Sequence, residues 1–246
     1  MKRLYFILSI FLFSACAELQ TVMTQFPMET SQPLTQREVA SGLKEALRIG
    51  SENAANLLST PNGFLKDEMV KILLPPEAQT IAKNIKMIPG GTKLVEDVEL
   101  RLNRAAEDAV KEAAPIFASA IQEMTIADAF GILRGGNTSA TSYLKEKTSS
   151  RLKALFQPKV KASLDKKLIA NLSTNESWNI LTGRYNKVAK SIAGQMAGLT
   201  PVETKLDAYV TQKALNGLFR KVAIEEQKIR KDPMARVTDL LKRVFG

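Results

Sequence analysis

The adjacent carboxylates Glu225 and Glu226 are the residues of this sequence whose type and spacing most directly suggest chemistry. Each lies three or four residues from both Val222 and Ile229, so either could lie on the apolar stripe of one helix. A buried carboxylate requires a partner, or its pKa rises. The pair is therefore compatible with a buried ion-pair network that pins the last long helix, with an acid that faces a ligand, and with plain exposure.

Two arginines, Arg104 and Arg230, could supply the partner. Arg104 belongs to a second polar group with Asn103 and Glu107, which is flanked by alanines. Asn103 and Glu107 are four residues apart and share one face of a helix. This group predicts hydrogen bonding between helices or, alternatively, the lining of a polar cleft.

Asp128 completes the candidate polar cluster. It lies three residues after Thr125, whose hydroxyl can cap a helix, and beside the positive end of that helix dipole, which predicts a capping role rather than a catalytic one. Two carboxylates at a suitable separation can nevertheless hydrolyse glycosides. A carboxylate-dependent periplasmic hydrolase that uses Glu107, Asp128, Glu225 or Glu226 is therefore one alternative for the function.

Residue types that are absent or rare limit the chemistry further. The 246 residues include no histidine and one cysteine, Cys16. This excludes histidine-based triads, histidine zinc sites and imidazole general bases. If Cys16 is lipidated, thiolate catalysis and structural disulfides are excluded as well. The sequence therefore identifies no catalytic residue, metal site or cofactor, and favours a non-enzymatic protein.

The first fifteen residues have the pattern of a signal peptide. Lys2 and Arg3 form a charged region, residues 4–13 are apolar, and Ser14-Ala15 forms a small-residue cleavage site. The apolar run is shorter than the roughly 20 residues of a membrane span. We therefore predict a lipoprotein signal peptide at residues 1–15, a flexible tether at 16–33 and a single helical domain at 34–246.

Cys16 follows this cleavage site directly. Phe13-Ser14-Ala15-Cys16 resembles the bacterial lipobox, with Phe13 where the pattern usually has leucine. The resemblance predicts that Cys16 becomes the lipidated first residue of the mature chain, and ordinary secretion with a free thiol is the alternative. Because Ala17 is not aspartate, no inner-membrane retention signal is present. We therefore predict a periplasm-facing protein of the bacterial envelope, anchored to the outer membrane through Cys16.

The charge balance of the mature chain is basic. Without Lys2 and Arg3 it keeps 33 of the 35 lysines and arginines against 25 acidic side chains, a net charge of +8. The charges are spread along the predicted helices, which indicates a soluble surface; attraction to anionic headgroups is the alternative. Export, and the lack of aromatics clustered beside basic residues, argue against nucleic-acid binding.

Apolar residues recur at steps of three and four, which is the period of a helix and not of a strand. The longest stripe predicts a central helix from Leu94 to Met124. Pro115 predicts a kink in it, because proline lacks the N–H that would bond the carbonyl of Lys111. We predict an all-α, multi-helix bundle of about eight to ten helices, with one long kinked central helix.

Polar residues and prolines mark the helix starts. Capping boxes are predicted at Thr35–Glu38, Ser173–Glu176 and Thr200–Glu203, the last with proline at the first helical position. Gln157-Pro158 and Asp232-Pro233 predict two further starts.

Several segments between these starts have a different character. The apolar run from Phe64 to Leu74 predicts a buried short helix, with residues 70–74 extended as the alternative. Pro75-Pro76 predicts the start of another helix, and Gly194–Gly198 predicts a loose connection.

Two groups of short motifs, one in the middle of the chain and one near its end, are specific enough to compare with known families. The first comprises Leu102-Asn103-Arg104-Ala105-Ala106-Glu107, Met124-Thr125, Asp128-Ala129, Ile132-Leu133, Ala140-Thr141 and Tyr143, and the second comprises Tyr209-Val210-Thr211, Ala214-Leu215, Gly217-Leu218-Phe219, Glu225-Glu226, Ile229-Arg230, Pro233, Arg236 and Val244-Phe245-Gly246. Over roughly residues 39–246, they resemble a family of bacterial envelope proteins, domain of unknown function four-one-nine-seven. The resemblance implies a helical, exported and often lipid-anchored protein, and it supplies no activity.

The function predicted from these observations is non-enzymatic binding of an apolar ligand or a protein partner at the envelope. Alanine-rich helices can approach closely and leave a groove, and catalytic residue types are scarce. The carboxylate-dependent hydrolase is one alternative. The other is a structural or assembly protein without a ligand site, which predicts that no cleft exists.

Overall fold

The computed structural model of this chain describes residues 33–79, 82, 91–167, 173–202 and 204–245, and among them it contains helices and no strand. The all-α prediction is therefore confirmed. The nine α-helices of the described residues are α1 (Gln36–Ser59), α2 (Gly91–Val110), α3 (Ala113–Gln122), α4 (Ile126–Arg134), α5 (Ser139–Leu164), α6 (Thr174–Ala189), α7 (Ile192–Met196), α8 (Leu206–Lys231) and α9 (Asp239–Phe245). Two 3₁₀ helices accompany them, Pro76–Ala78 and Pro233–Ala235.

Helix α8 packs against α5, α1 and α2, and these four long helices enclose most of the core. Alanines such as Ala105, Ala106 and Ala109 are fully buried, so neighbouring helices approach closely along α2. The rings of Phe117 and Phe219 meet edge to face, with centroids 6.0 Å apart, which joins α3 to α8. Residues 35–246 form one compact unit.

The central helix is bent, as the sequence predicts. α2 ends at Val110, a turn occupies Lys111 and Glu112, and α3 continues from Ala113 with Pro115 in its first turn. Since Pro115 has no N–H for the carbonyl of Lys111, the regular hydrogen-bond ladder cannot cross this point.

Three predicted caps are confirmed, at Thr35, Thr125 and Ser173. In each, the hydroxyl accepts the backbone N–H three residues on, and the acidic side chain at that position accepts the N–H of the cap. Hydrogen bonds from the capping residue's backbone N–H, and then from its side chain, hold the pKa of Glu38, Asp128 and Glu176 below the ordinary carboxyl value. The three helix starts are therefore fixed by local chemistry.

The helix start predicted at Thr200 is wrong. Glu203 lies outside the described residues, and α8 begins only at Leu206. Val202 is buried, and its backbone is paired with a side chain of α6: it donates to Asn186 Oδ1 at 2.7 Å and accepts from Asn186 Nδ2 at 2.9 Å. A contact with a distant residue thus overrides the local helix signal.

The two starts predicted at prolines are also corrected. Pro158 lies inside α5, which runs without a break from Ser139 to Leu164. The buried Phe156 and Val160 flank this proline and pack into the core, and their burial offsets the one lost hydrogen bond. Asp232 caps only the 3₁₀ helix at Pro233, while α9 begins at Asp239.

The apolar run from Phe64 to Leu74 is not the buried short helix predicted for it. Turns occupy most of residues 61–70, and residues 71–75 have no regular structure. Val70, Ile72 and Leu74 are buried, while Leu73 is exposed, which is the alternation of an extended chain. The extended alternative for residues 70–74 therefore describes this segment better.

Two other segments lie next to glycines or prolines. The helix predicted from Pro75-Pro76 starts as the 3₁₀ helix Pro76–Ala78, and residues 80–81 and 83–90 lie outside the described residues. The loose connection predicted at Gly194–Gly198 is wrong, because α7 is a capped helix that extends into it. The predicted signal peptide, Cys16 and all of the tether except Pro33 lie outside the described residues as well.

Among the described helices, none alone has both the length and the apolar composition of a membrane span. The helical stretches Thr92–Gln122 and Ile126–Arg134 meet the criteria of length and apolar composition when they are taken together, with a bend of 106° between them.

Candidate functional site

The seven residues of the predicted polar cluster lie on three helices. Asn103, Arg104 and Glu107 are on α2, Asp128 is in the first turn of α4, and the remaining three, Glu225, Glu226 and Arg230, are on α8. Among the described residues, no hydrogen bond or ion pair joins these three groups to one another. Each group has its own partners.

The α2 group binds the chain that follows α1. Asn103 is fully buried, and its amide pairs with the backbone of Ile72, accepting from the N–H at 2.9 Å and donating to the carbonyl at 2.8 Å. Glu107 is buried and accepts the N–H of Phe64 at 3.3 Å. Arg104 joins Glu107 Oε2 at 2.6 Å to Asn62 Oδ1 at 2.9 Å. These three side chains therefore hold the irregular segment 62–72 against α2.

Glu226 supplies the cap that the first turn of α5 lacks. Thr138, at the N-cap of α5, makes no side-chain capping bond. The buried Glu226 carboxylate instead accepts the N–H of Ala140 at 3.0 Å, and both the N–H and the hydroxyl of Thr141 at 2.8 Å. It thus satisfies two of the orphan donors at that helix end and lies at the positive end of the dipole.

Arg230 completes this arrangement one turn further along α8. Its Nε and Nη2 lie 3.0 and 2.9 Å from Glu226 Oε1, and Nη2 also donates to the carbonyl of Ile132, near the C-terminal end of α4, at 3.0 Å. Among the two arginines considered, the partner of Glu226 is therefore Arg230. A cavity of about 20 Å³ beside the pair has room for one water molecule.

Glu225 and Asp128 have simpler surroundings. Glu225 pairs with the exposed Lys228 at 2.5 Å and accepts a hydrogen bond from Asn53 at 3.4 Å. Asp128 caps α4 with Thr125, and that is its only hydrogen-bond partner among the described residues.

Two polar contacts are not predicted by the sequence analysis. The buried Lys221 of α8 pairs with Asp67, and Asn186 of α6 pairs with Val202. Lys221 lies close to the apolar Leu218 and Val222 in the sequence, and this position is the signal that could have predicted its burial. Nothing local distinguishes Asn186 from an exposed asparagine.

An apolar cavity lies away from all of these carboxylates. It has a volume of about 170 Å³ and lies between the segment after α1, helix α2 and helix α6. Among the described residues, its lining comprises Leu74, Ala78, Ala82, Leu94, Val95, Val98, Thr174, Ser177, Trp178 and Leu181. Carbon atoms dominate this wall, so the cavity favours an apolar occupant.

Trp178 forms a fixed part of this wall. Its indole N–H donates to the carbonyl of Thr204 at 3.0 Å, which satisfies the one polar atom of the ring. Leu94, another lining residue, is 53% exposed, so the lining reaches the protein surface there. The cavity wall therefore includes both a buried, hydrogen-bonded indole and an exposed leucine.

Within the described residues, no group of three or more acidic or cysteine side chains is close enough to hold a metal ion. The exposed groove beside Arg101 and Lys166 has both acidic and basic lining residues, so it favours no single charge.

No curated protein and no solved structure matches the chain. One protein family does match, over residues 33–246, and its description is "Protein of unknown function (DUF4197)". The match spans all nine described helices. The chain belongs to this family, DUF4197.

Proposed function

We propose that this protein is a non-enzymatic, lipid-anchored envelope protein that binds an apolar ligand in the cavity beside Trp178. The ligand is the end of an alkyl or acyl chain. The protein faces the periplasm from the outer membrane, and its anchor is the acylated Cys16.

The cavity is the observation that carries this proposal. Its volume is about 170 Å³, and an apolar cavity of roughly 150 Å³ is large enough to hold a benzene molecule. Drug-sized ligands occupy roughly 300–1,000 Å³, so this cavity suits a short, narrow, apolar group. A chain end fits that description, because the rest of the molecule can leave past the exposed Leu94.

The surroundings of the carboxylates also favour binding over hydrolysis. Glu107 and Glu226 are buried and bonded to backbone N–H groups and arginines. Asp128 is bonded to Thr125, and its pKa is lowered, which is the opposite of what a general acid requires. These side chains have structural partners, whereas the apolar cavity is lined by side chains whose hydrocarbon surface is available for contact.

Trp178 provides a direct assay, because it is the only tryptophan of the chain. We expect fatty acids brominated near the methyl end to quench its fluorescence, since bromine quenches indole only in contact. Quenching should saturate with one ligand per chain. Bromine placed beside the carboxyl group should quench less, because that end lies outside the cavity.

Filling the cavity tests whether it is the site. Ala78 lies in the wall and is 1% exposed, and Ala78→Leu should abolish the quenching while the circular dichroism of the protein is retained. Val98→Phe is a second filling variant in the same wall. Ala162→Leu, on the exposed side of α5, adds the same side chain elsewhere and should leave the quenching unchanged.

Each outcome of these measurements has a clear meaning. Quenching that survives in both filling variants, or that is absent in the wild-type protein, contradicts the ligand proposal. Native mass spectrometry of membrane-extracted protein adds a second measurement: a bound lipid supports the proposal, and a chain without lipid or co-purified partner favours a structural role. Hydrolysis of a glycoside that is lost in a folded Glu225→Gln, Glu226→Gln variant would favour the hydrolase.

The anchor is tested separately. We expect Cys16→Ser to move the protein from the membrane fraction to the soluble fraction in high salt, which weakens electrostatic contacts with lipid. Unchanged fractionation would contradict lipidation and leave the ligand proposal intact.

A further inference from the structure

The segment after α6 presents an apolar surface to solvent. Ile192 and Met196 are 80% and 85% exposed, and Val188 at the end of α6 is 57% exposed. Ile192 and Met196 are four residues apart on α7 and therefore lie on one side of it. Val188, Ile192 and Met196 together form the α7 surface.

This exposure belongs to a well-defined turn. The Ser191 hydroxyl accepts the N–H of Gly194 at 3.1 Å and donates to the carbonyl of Val188 at 2.7 Å. At the other end, Gly198 has a φ of 71°, and the N–H of Leu199 donates to the carbonyl of Gly194 at 2.9 Å, as in a Schellman motif. Both ends of α7 are therefore capped.

Gly194 fixes how closely α7 folds back on α6. A Cβ atom at this position would lie 2.1 Å from the carbonyl oxygen of Val188, so only glycine fits. The caps and this close approach together hold Ile192 and Met196 in solvent, although burial of two such side chains would be favourable. An apolar pair held outward by ordered backbone indicates an interaction surface.

The charged residues within this segment have a single sign. Residues 177–202 contain no aspartate or glutamate, and they contain Arg184, Lys187 and Lys190, all exposed. Arg184 lies one turn before Val188 on α6, so the basic residues border the apolar ones. Apolar side chains bordered by lysine and arginine are the arrangement that binds an anionic membrane surface.

A stable protein interface requires more surface than this. Each partner in such an interface buries about 800 Å², and three apolar side chains offer much less. A bilayer has no such threshold, because each side chain that enters the headgroup region contributes separately.

We propose that the α7 surface inserts into an anionic phospholipid bilayer, with Ile192 and Met196 at the boundary of the acyl chains and Arg184 and Lys187 at the lipid phosphates. This proposal does not depend on the cavity. It does add a geometric consequence: Trp178 and Val188 are ten residues apart on α6, so the cavity wall lies about 15 Å along the helix from the inserted end.

Labelling of single cysteines in the full chain tests this insertion. The variants are Ile192→Cys, and Met234→Cys as the matched control, because Met234 is 86% exposed and lies in the distant 3₁₀ helix. Each is labelled with an environment-sensitive fluorophore and mixed with phosphatidylglycerol vesicles that carry nitroxide-labelled lipid. The unsubstituted chain measures any labelling of Cys16.

We expect the label at position 192 to shift to shorter wavelength and to be quenched, and the label at 234 to show neither change. Absence of quenching at 192, or equal quenching at both positions, overturns the proposal. A shift at 192 that grows with protein concentration without vesicles also overturns it, because a second copy of the chain would then cover the surface.

The basic border has its own readout. Arg184→Gln and Lys187→Gln should each lower the ratio of inserted to free label about fivefold, since one basic residue near an anionic surface contributes roughly 1 kcal/mol. Phosphatidylcholine vesicles should remove this difference. An unchanged ratio in both variants would contradict the assignment of these residues to the lipid phosphates.

Discussion

Replacement of Glu226 by glutamine is the sharpest test of how this bundle is held together. The carboxylate receives the N–H of Ala140, the N–H and hydroxyl of Thr141, and the guanidinium of Arg230. A glutamine amide has one oxygen in place of two, and it turns an NH₂ group toward groups that are themselves donors. Glu226→Gln therefore removes an ion pair and a helix cap at once.

The expected cost follows from these contacts. Removal of one partner of a buried ion pair costs about 3–5 kcal/mol, because the other charge stays buried without compensation. Loss of a helix cap costs about 0.5–2 kcal/mol. Arg230 keeps its bond to the carbonyl of Ile132, which reduces the total. We expect Glu226→Gln to lower the free energy of unfolding by about 3–5 kcal/mol, a large share of the 5–15 kcal/mol typical of a domain.

Glu225→Gln is the matched control, because it makes the same substitution at the next residue. Glu225 pairs with Lys228, whose side chain is 56% exposed, and such pairs contribute about 0–1 kcal/mol. The assay is urea unfolding followed by circular dichroism, with similar slopes required of both variants. If Glu226→Gln falls within about 1 kcal/mol of Glu225→Gln, the capping role of Glu226 is refuted.

Four further predictions concern local features. The pKa of Asp128 is lowered in the folded state, so its contribution to stability is present above the ordinary value of 3.8 and is lost as the pH falls through the lowered pKa. In the Asp128→Asn variant, the urea midpoint of unfolding should therefore fall less steeply over that acid range. A pH profile identical to that of the unsubstituted protein would contradict this. Asn186→Ala should cost about 1–3 kcal/mol because the backbone of Val202 loses both of its partners, whereas Asn179→Ala, exposed on the same helix, should have little effect in the same assay. Gly217→Ala should cost about 1–3 kcal/mol, because the added Cβ would lie 2.8 Å from Phe64. Gly183→Ala, in an exposed helix interior with no atom within 4 Å of the new Cβ, should instead stabilise by about 0.5–1 kcal/mol; thermal unfolding of both variants checks the opposite signs.

The contrast between Thr125 and Thr200 explains how much of the fold could be predicted from the sequence. Both residues predict a helix start, and only at Thr125 does a helix begin. At Thr125 every participating atom lies within four residues, so the pattern decides the structure. Near Thr200 the backbone is instead bound by Asn186 and Trp178, from a different helix. Periodicity and local caps therefore predict helices well, and they do not predict where one helix binds the backbone of another segment.

In the candidate site, too, the local features could be predicted from the sequence and the contacts between distant segments could not. The spacing around Glu226 correctly allows it to be buried, and Arg230 is one of the two partners considered. Its backbone donors, Ala140 and Thr141, lie 86 and 85 residues earlier in the chain, and no local pattern links them to it. The cavity beside Trp178 is formed by side chains of three separate segments. Such a volume depends on how the segments pack, which the sequence periods do not determine.

The cap that Glu226 supplies to α5 also has a consequence for the order of assembly. Proteins emerge from the ribosome amino terminus first, so α5 is synthesised well before α8. Until α8 docks, the amides of Ala140 and Thr141 have no carboxylate, and the first turn of α5 stays frayed. The first turn of α5 is therefore the last part of this helix to form. In a chain truncated before Glu226, that turn would stay frayed and would be open to proteolysis.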